Sequence, residues 1–532
     1  MHDHLGNQTL NGLLDQRAAE HSDRRFLTFE DRDGRVQELT YGELHELVTR
    51  CAGGLAGLGL GPGDMVVVHM ANAPELLVTW FAVTRLGAVL VPSNTANTAD
   101  ELRYLLEVTG ARRVVTEERW LQTVERAVGG VAGDHEIVVA RGSAGVHRAF
   151  DDLLDPAACP PGHPGRADVS GDDLAELIFT SGTTSKPKGV MLTHANLVNA
   201  GFHAIHCLWL ADDERCLTAL PLFHVNAQAM SVLPALVLGS SVVLIEEFRA
   251  SKFWAQVRRH RATQTCLVAM QLRTLIAQPP DDADRRHHVR RLFFAINVTD
   301  EEKDAFEQRF GVSLINGYGC TEAMTLLACA PVAGPRRWPS VGRPAVGRRI
   351  VLLDEAGEEV GPGEVGEVVV EGMPGRDLML GYYRDPAETA SAFRGGRFHT
   401  GDNARVDEEG FLYFVDRKKN MIKRSGENIA AAEVEAVLST HPMVVEACVL
   451  GVPDPLRDEA VAAVVVPAAG SSVSADELVA HCARRLAKFK VPSVVRFRDE
   501  LPKTSIGKIR RDVLARELRE PTAEPTGSVD HG

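Results

Sequence analysis

Thr180-Ser-Gly-Thr-Thr-Ser-Lys-Pro-Lys-Gly189 is a run of small hydroxylated residues, glycines and two lysines between two apolar stretches. Leu177-Ile-Phe179 before it reads as a buried strand and Val190-Met-Leu192 after it as a second, and Thr193 is placed to cap a helix opened by His194-Ala-Asn-Leu197. The loop therefore sits where a sheet ends. Glycines let an anion approach the backbone, hydroxyls and amide N–H groups donate to phosphate oxygens, and Lys186 and Lys188 add positive charge. The string does not fit GxxxxGK[ST] and is not a Walker A loop. A plain Ser/Thr/Gly hairpin is the alternative. The phosphate reading assigns Thr180, Ser181, Gly182, Thr183, Thr184 and Lys188 to a nucleotide.

Working outward, the sequence upstream alternates strands and helices. Thr40-Tyr-Gly-Glu43 is a capping box, followed by Leu44, Leu47, Val48, Cys51, Leu55 and Leu58 at helical spacing up to a stop at Gly59. Residues 65–70 then read as a strand, 74–86 as a helix and 88–91 as a strand, a β-α-β pattern that implies a parallel sheet. The glycines at 57–63 do not form GxGxxG and read as a helix stop and turn. Residues 142–173, rich in Pro and Gly, read as a surface connection between two lobes. A second break falls at Asp416-Arg-Lys-Lys-Asn420: a strand at 411–415 gives way to a basic turn. Beyond it a helix near 433–438, strands near 444–449 and 460–466, and a helix capped by Ser474 and Glu477 make a compact α+β unit. The domains are thus expected at 1–418 and 419–518, with a disordered tail at 519–532.

At 532 residues the chain exceeds a single core. Its net charge of -14 argues against a nucleic-acid binder or a protein that coats anionic membranes. Ten Lys or Arg between Arg484 and Arg511, against Asp499 and Glu500, still leave the tail domain suited to a small polyanion, or simply solvated. Nine scattered cysteines form no CxxC pair, which fits reduced thiols in a cytoplasm. No apolar run approaches the ~20 residues of a membrane span, and no leader pattern opens the chain. A cytoplasmic protein is expected.

Four further segments belong with the loop. In Asn316-Gly-Tyr-Gly-Cys-Thr-Glu-Ala323 a hydroxyl and a carboxylate follow a glycine turn, so Thr321 suits a phosphate and Glu322 suits Mg²⁺. Thr400-Gly-Asp402 puts a short carboxylate on a tight loop, suited to two ribose hydroxyls. Arg417 is a cationic donor for ribose or phosphate. Pro502-Lys-Thr-Ser-Ile-Gly-Lys508 carries a lysine on a glycine-containing loop. Each alone reads equally as a turn, a cap or an exposed lysine; their joint order carries the weight.

In that order the chain resembles the adenylate-forming superfamily of acyl-CoA synthetases, adenylation domains and luciferases, from about Leu10 to Leu518. The resemblance implies an α/β fold: a large N-terminal domain of stacked α/β lobes with a β-barrel-like lobe, and a small mobile α+β C-terminal domain. It implies ATP, Mg²⁺ and coenzyme A. A carboxylic acid would react with ATP to give acyl-AMP and pyrophosphate, and a thiol would then displace AMP. Lys508 would bridge carboxylate and phosphate, with Thr180 and Glu322 holding the triphosphate. Tyr318 would stack on adenine in a pocket completed by Ala295, Asn297, Asn316, Gly317 and Gly319. Lys419 would be the hinge, and Ser425, Gly426 and Glu427 would line the thiol tunnel.

Two departures are evident. Phe294-Ala-Ile-Asn-Val298 replaces the frequent Gly-Ala-Pro stretch, and Asp416 a frequent glycine. With Arg336-Arg-Trp-Pro-Ser340 and Met421-Ile-Lys-Arg-Ser-Gly-Glu-Asn428, they resemble the branch of carnitine and crotonobetaine CoA ligases. The acyl pocket would include His224, Val225, Asn226 and Gly317, with His224 as a gate counted among the catalytic residues. His224 stands where amino-acid-activating relatives keep an aspartate, so an amino-acid ammonium group would lack a partner. A quaternary ammonium acid would need a carboxylate or aromatic cage, and aromatics are 6% of the chain. A neutral, bulky acid fits as well. Adenylation alone, with transfer to a carrier protein, and a non-catalytic nucleotide-binding protein are the alternatives; a homodimer is left open.

Overall fold

The computed structural model describes residues 7–163, 165–180, 187–295, 298–417, 420–424, 427–454, 458–486, 488–503 and 509–519. By compactness the chain divides into Met1–Ile350 with Val370–Phe398, and Val351–Val369 with His399–Gly532.

Two sheets organise the first unit. The eight-stranded one runs, in spatial order, through Gly381–Tyr382, Lys188–Thr193, Leu174–Thr180, Val89–Pro92, Met65–His69, Arg113–Thr116, Glu136–Val139 and Arg148–Ala149. Its centre is the expected parallel β-α-β: Met65–His69 pairs in parallel with Val89–Pro92, and the helix Pro74–Arg85 crosses between them. Both strands are wholly buried, which is why their sequences are continuous apolar runs without alternation. The nine-stranded sheet carries the parallel strands Arg25–Glu30, Ser241–Ile245, Arg215–Thr218, Gln264–Val268, Arg291–Ala295 and Leu314–Cys320, and then turns antiparallel through Thr325–Cys329. Local signals hold where the chemistry is local. Thr40 and Thr193 both accept from the N3 backbone N–H, and the helix Tyr41–Gly57 ends with Gly59 at φ +73°.

The 142–173 stretch differs from expectation. It joins two strands of one sheet, Glu136–Val139 and Leu174–Thr180, and so does not link two lobes. It also contains a short strand, Arg148–Ala149, and a helical turn, Phe150–Leu153. Phe150 and Leu153 are buried, and a Cβ on Gly54 of the Tyr41–Gly57 helix would lie 2.4 Å from Leu153 O. A close approach between segments a hundred residues apart left no trace in the Pro/Gly composition.

A five-stranded sheet, most of it in the second unit, is where the barrel-like lobe was expected. It runs Arg349–Leu353, Val365–Glu371, Arg397–Val406 and Phe393–Arg394, with Leu412–Arg417 also on Arg397–Val406. The compact division therefore differs from the 418/419 break, because these strand pairings join distant stretches of chain and a basic turn reveals nothing of them. The C-terminal α+β part follows the reading: helices Ala431–Ser439 and Ala475–Ala483, the latter with its Ser474–Glu477 capping box, and long antiparallel strands Val444–Asp454 and Asp458–Pro467. A core of Ile422, Ile429, Val434, Leu438, Val449, Val461 and Leu478 holds it. The 520–532 part of the expected tail lies outside the described residues. Among the described residues no helix is long and apolar enough to cross a membrane.

Candidate active site

Strands Leu174–Thr180 and Lys188–Thr193 pair antiparallel with Thr180 directly opposite Lys188, so the two ends of the candidate phosphate loop are fixed as neighbours. Ser181, Gly182, Thr183 and Thr184 lie outside the described residues. Lys188 Nζ pairs with the Glu388 carboxylate and stands 5.4 Å from the centroid of the Tyr382 ring. Tyr382 pairs in turn with Val190 at the edge of the same sheet.

Glu322 is reached from this side. Tyr382 Oη donates to Glu322 Oε1 at 2.9 Å, and Met379 N donates to Glu322 O at 2.6 Å. Burial and the neighbouring Glu322 carboxylate hold the Tyr382 phenol far above its ordinary pKa, so it stays a donor. The segment supplying Met379 and Tyr382 is anchored by the helix after the loop. Thr193 Oγ1 donates to Gly375 O at 2.6 Å, and Asn196 Nδ2 to Arg376 O and Leu378 O at 2.8 Å each. Beyond Glu322, Met324 adopts a left-handed φ of 34°. The buried Arg348 guanidinium fastens this turn by donating to Ala323 O at 2.6 Å, to Leu326 O at 3.1 Å and to Asp377 O. Thr180, Lys188, Glu322 and Tyr382 thus belong to one connected cluster.

The adenine candidates lie on the adjoining strands of the other sheet. Ala295 is directly opposite Gly317, and Tyr318 opposite Ala328. Asn316 Nδ2 donates to Ser340 O at 3.0 Å. A Cβ on Gly317 would fall 2.5 Å from Phe293 Cε2, so glycine is required by packing. Gly319 continues the strand, Thr321 opens the turn that carries Glu322, and Asn297 lies outside the described residues. His224 is the residue before a short helical turn, Val225–Ala227, that includes Asn226; its ring lies tilted against Phe223, with centroids 4.8 Å apart.

In the second unit, Thr400-Gly-Asp402 lies within the strand Arg397–Val406 and not on the expected tight loop; Gly401 takes φ +71°, Asp402 N donates to Thr400 Oγ1 at 3.1 Å, and Thr400 Oγ1 donates to Val368 O at 2.9 Å. Asp402 is buried and directly opposite Arg417 across the strand pair. Asp416 accepts from Asn420 Nδ2 at 3.1 Å and from Ala432 N at 3.0 Å, so the residue in place of glycine ties the strand to the next helix. Glu427 opens the strand Glu427–Ala430. Lys419, Ser425, Gly426 and Lys508 lie outside the described residues.

For Mg²⁺ the donor set fits. Among the described residues no cluster of three or more ligating side chains exists. A single half-buried carboxylate, oriented by a phenol that leaves Oε2 to other partners, is what an ion sharing its shell with phosphates and water requires. Tyr382, Glu388 and Arg348, which contact the candidate residues or the turn that carries them, are not legible as such in the sequence. For Glu388 a signal existed: Asp385 followed by Pro386 reads as a helix start, and Asp385 does accept from Glu388 N.

Comparison with known proteins agrees with this geometry. Residues 14–383 match the family described as AMP-binding enzyme, and residues 433–508 match the AMP-binding enzyme C-terminal domain. A crotonobetaine/carnitine–CoA ligase of Citrobacter koseri is 38% identical over 95% of this chain and 99% of its own. ATP-bound MatB from Rhodopseudomonas palustris superposes with a TM-score of 0.85 at 28% identity, covering 96% of this chain and 99% of that one. The o-succinylbenzoate CoA synthetase MenE of Bacillus subtilis, bound to its acyl-adenylate OSB-AMP, superposes with a TM-score of 0.82 at 27% identity, covering 99% and 100%. The chain therefore belongs to the AMP-binding enzyme family, among its acid–CoA ligases.

Proposed function

We propose that this chain is an AMP-forming acid–CoA ligase whose cosubstrates are ATP and coenzyme A. In the first step a carboxylate oxygen attacks the α-phosphorus of ATP, the bond to the β-phosphate breaks, and pyrophosphate leaves. In the second the CoA sulfur attacks the acyl carbon, the thiol proton is lost, and AMP leaves with its oxygen. The observation that carries the reading is the Lys188–Tyr382–Glu322 cluster at the mouth of the phosphate loop, in a chain whose relatives are acid–CoA ligases.

Each residue answers a physical demand. The first step joins two anions, so the loop from Thr180 to Lys188 grips the phosphates with Thr321 while Lys508 offsets charge on carboxylate and α-phosphate. Lys188 must exchange Glu388 for phosphate oxygens when ATP arrives. Glu322 would hold Mg²⁺, which when bound neutralises the phosphates. Tyr318 stacks on adenine between Ala295, Asn297, Asn316, Gly317 and Gly319, and Asp402 and Arg417 receive the ribose. The part bearing Lys508 turns about Lys419 between the steps, and Ser425, Gly426 and Glu427 then admit the pantetheine arm. Behind His224, Val225 and Asn226 lies the acyl group. A betaine acid, as named for the Citrobacter koseri relative, is the first to try, ahead of aromatic acids. A cytoplasmic location, where ATP and CoA are abundant, fits both steps.

The test is pyrophosphate release with a panel of crotonobetaine, carnitine, benzoate, anthranilate and o-succinylbenzoate, with and without coenzyme A. Lys508→Ala should lower release on the order of a hundredfold while ATP binding is largely kept. Equal rates would remove Lys508 from the mechanism. Acyl-AMP without thioester for every acid would favour transfer to a carrier protein instead.

A further inference from the structure

The loop Leu220-Pro-Leu-Phe-His224 has no regular backbone partner, yet Leu220, Leu222 and Phe223 are buried. Leu220 N donates to Thr218 Oγ1 at 3.1 Å and His224 N to Pro221 O at 3.0 Å, and further backbone groups are met by two buried side chains from elsewhere. Asn72, just beyond the strand Met65–His69, donates through Nδ2 to Leu220 O at 2.9 Å and to Ile245 O at 3.0 Å, and its Oδ1 accepts from Leu222 N at 2.8 Å. From the other side Gln228 Nε2 donates to Leu222 O at 2.8 Å and to Glu176 Oε1 at 2.7 Å. Gln228 opens a π-helical turn, Gln228–Val232, four residues after His224. Such turns are uncommon and concentrate at functional positions. Glu176 lies four residues before Thr180 on the strand that delivers the phosphate loop, and it is fully buried.

We propose that Glu176 and Gln228 form a hydrogen-bonded acid–amide pair that positions the His224 loop, making both of them determinants of acid binding that never touch the acid. The proposal rests on the acid–CoA ligase reading only for the identity of the ligand behind His224.

The pair's chemistry follows from its unmet atoms. Among the described residues Glu176 Oε2 and Gln228 Oε1 have no hydrogen-bond partner, and both are acceptors if the carboxyl is ionised. An unpaired carboxylate in a fully buried site is costly, whereas a carboxylic acid supplies the missing O–H donor while still accepting from Nε2. Burial pushes the Glu176 carboxyl up to about 8, with Gln228 pulling weakly the other way, so the acid form prevails at neutral pH.

The same geometry predicts which step suffers when the pair is lost. Around Glu176 the strand is held by backbone pairing to Leu90 on one side and Leu192 on the other, so truncating the side chain leaves the route to Thr180 in place. The 220–224 loop has no such ladder and depends on Gln228 and Asn72. Acid binding should therefore weaken while ATP binding holds.

The experiment compares Glu176→Leu, Glu176→Gln and Gln228→Met by calorimetric affinity for the acids named above and by KM for ATP in the pyrophosphate assay. Glu176→Leu and Gln228→Met should weaken acid binding about tenfold, the effect of one buried hydrogen bond, with KM for ATP changed less than about twofold. Glu176→Gln replaces the O–H donor by N–H and should restore acid binding to near the wild-type value. Glu176→Gln as impaired as Glu176→Leu would overturn the neutral acid–amide pair. Acid and ATP affinities falling together, or neither falling, would overturn the positioning role. If Glu176→Leu does not fold, Gln228→Met and Glu176→Gln carry the same comparison. A wild type that neither binds nor activates any of the acids would sink the ligase reading itself, a result separate from any of these.

Discussion

At the scale of single residues, Glu322, the proposed Mg²⁺ ligand, is a carboxylate held in place from two sides. Its main-chain oxygen is held by Met379 N and one side-chain oxygen by Tyr382 Oη, so few rotamers remain. Removing the phenol hydroxyl leaves the carboxylate half-buried and free to turn. Tyr382→Phe should lower kcat for pyrophosphate release roughly tenfold, since a hydrogen bond to a charged group contributes roughly 1.5–3 kcal/mol. The Mg²⁺ concentration needed for half-maximal rate should rise as well, with acid KM little changed. A magnesium titration of wild type and variant checks this, and superimposable curves would dissociate Tyr382 from Glu322. The candidate site was legible in part. Residue type inside short strings is what makes Thr180, Lys188, Glu322 and Asp402 candidates, but Tyr382 lies sixty residues from Glu322 and meets it only through the edge of the sheet.

At the scale of elements, the paired strands Arg291–Ala295 and Leu314–Cys320 are proposed to serve the nucleotide base as the paired strands Leu174–Thr180 and Lys188–Thr193 are proposed to serve the phosphates. Gly317 lies on Leu314–Cys320, with Phe293 Cε2 2.5 Å, Phe293 Cζ 3.0 Å and Ala328 O 3.3 Å from the position of a Cβ. Phe293 is 3% exposed and Ala328 O belongs to the neighbouring strand, so neither can retreat cheaply. Gly317→Ala should therefore destabilise the protein by about 1–3 kcal/mol through overpacking and weaken AMP binding with it. Thermal unfolding and calorimetry with AMP read the two effects; an unchanged melting temperature would show that the strands yield without strain. Elements were legible where their signals are local. Thr40, Thr193 and Ser474 cap the helices their sequences mark, and the apolar runs of the first sheet are strands. The 142–173 stretch misled because Phe150 and Leu153 are buried against a distant helix, a tertiary fact that overrides a Pro/Gly-rich composition.

At the scale of the whole molecule, the expected break near 418 rests on a change of chain character, while the compact division runs at 369/370 and 398/399 through the sheet in which 397–406 pairs with both 365–371 and 412–417. Pairing between strands far apart in sequence is set by the fold and leaves only weak marks on a single chain. What the sequence does carry is the order of two proposed chemistries: a candidate phosphate loop and Glu322 early, a glycine loop at Ser425-Gly-Glu427 and Lys508 late. The two steps share one acyl carbon but need opposite environments, a cation over two anions first and an open path for a neutral thiol second. A variant confined to the second demand should separate them. Gly426→Leu adds bulk to the loop proposed to pass the pantetheine arm while leaving Lys508, Glu322 and the phosphate loop unchanged. Pyrophosphate release without coenzyme A should stay within about twofold of wild type, and acyl-CoA formation should fall tenfold or more, roughly 1.4 kcal/mol on the second barrier. Following pyrophosphate and thioester in parallel with the same acid reads both. Equal losses would mean that the glycine serves the fold and not the thiol.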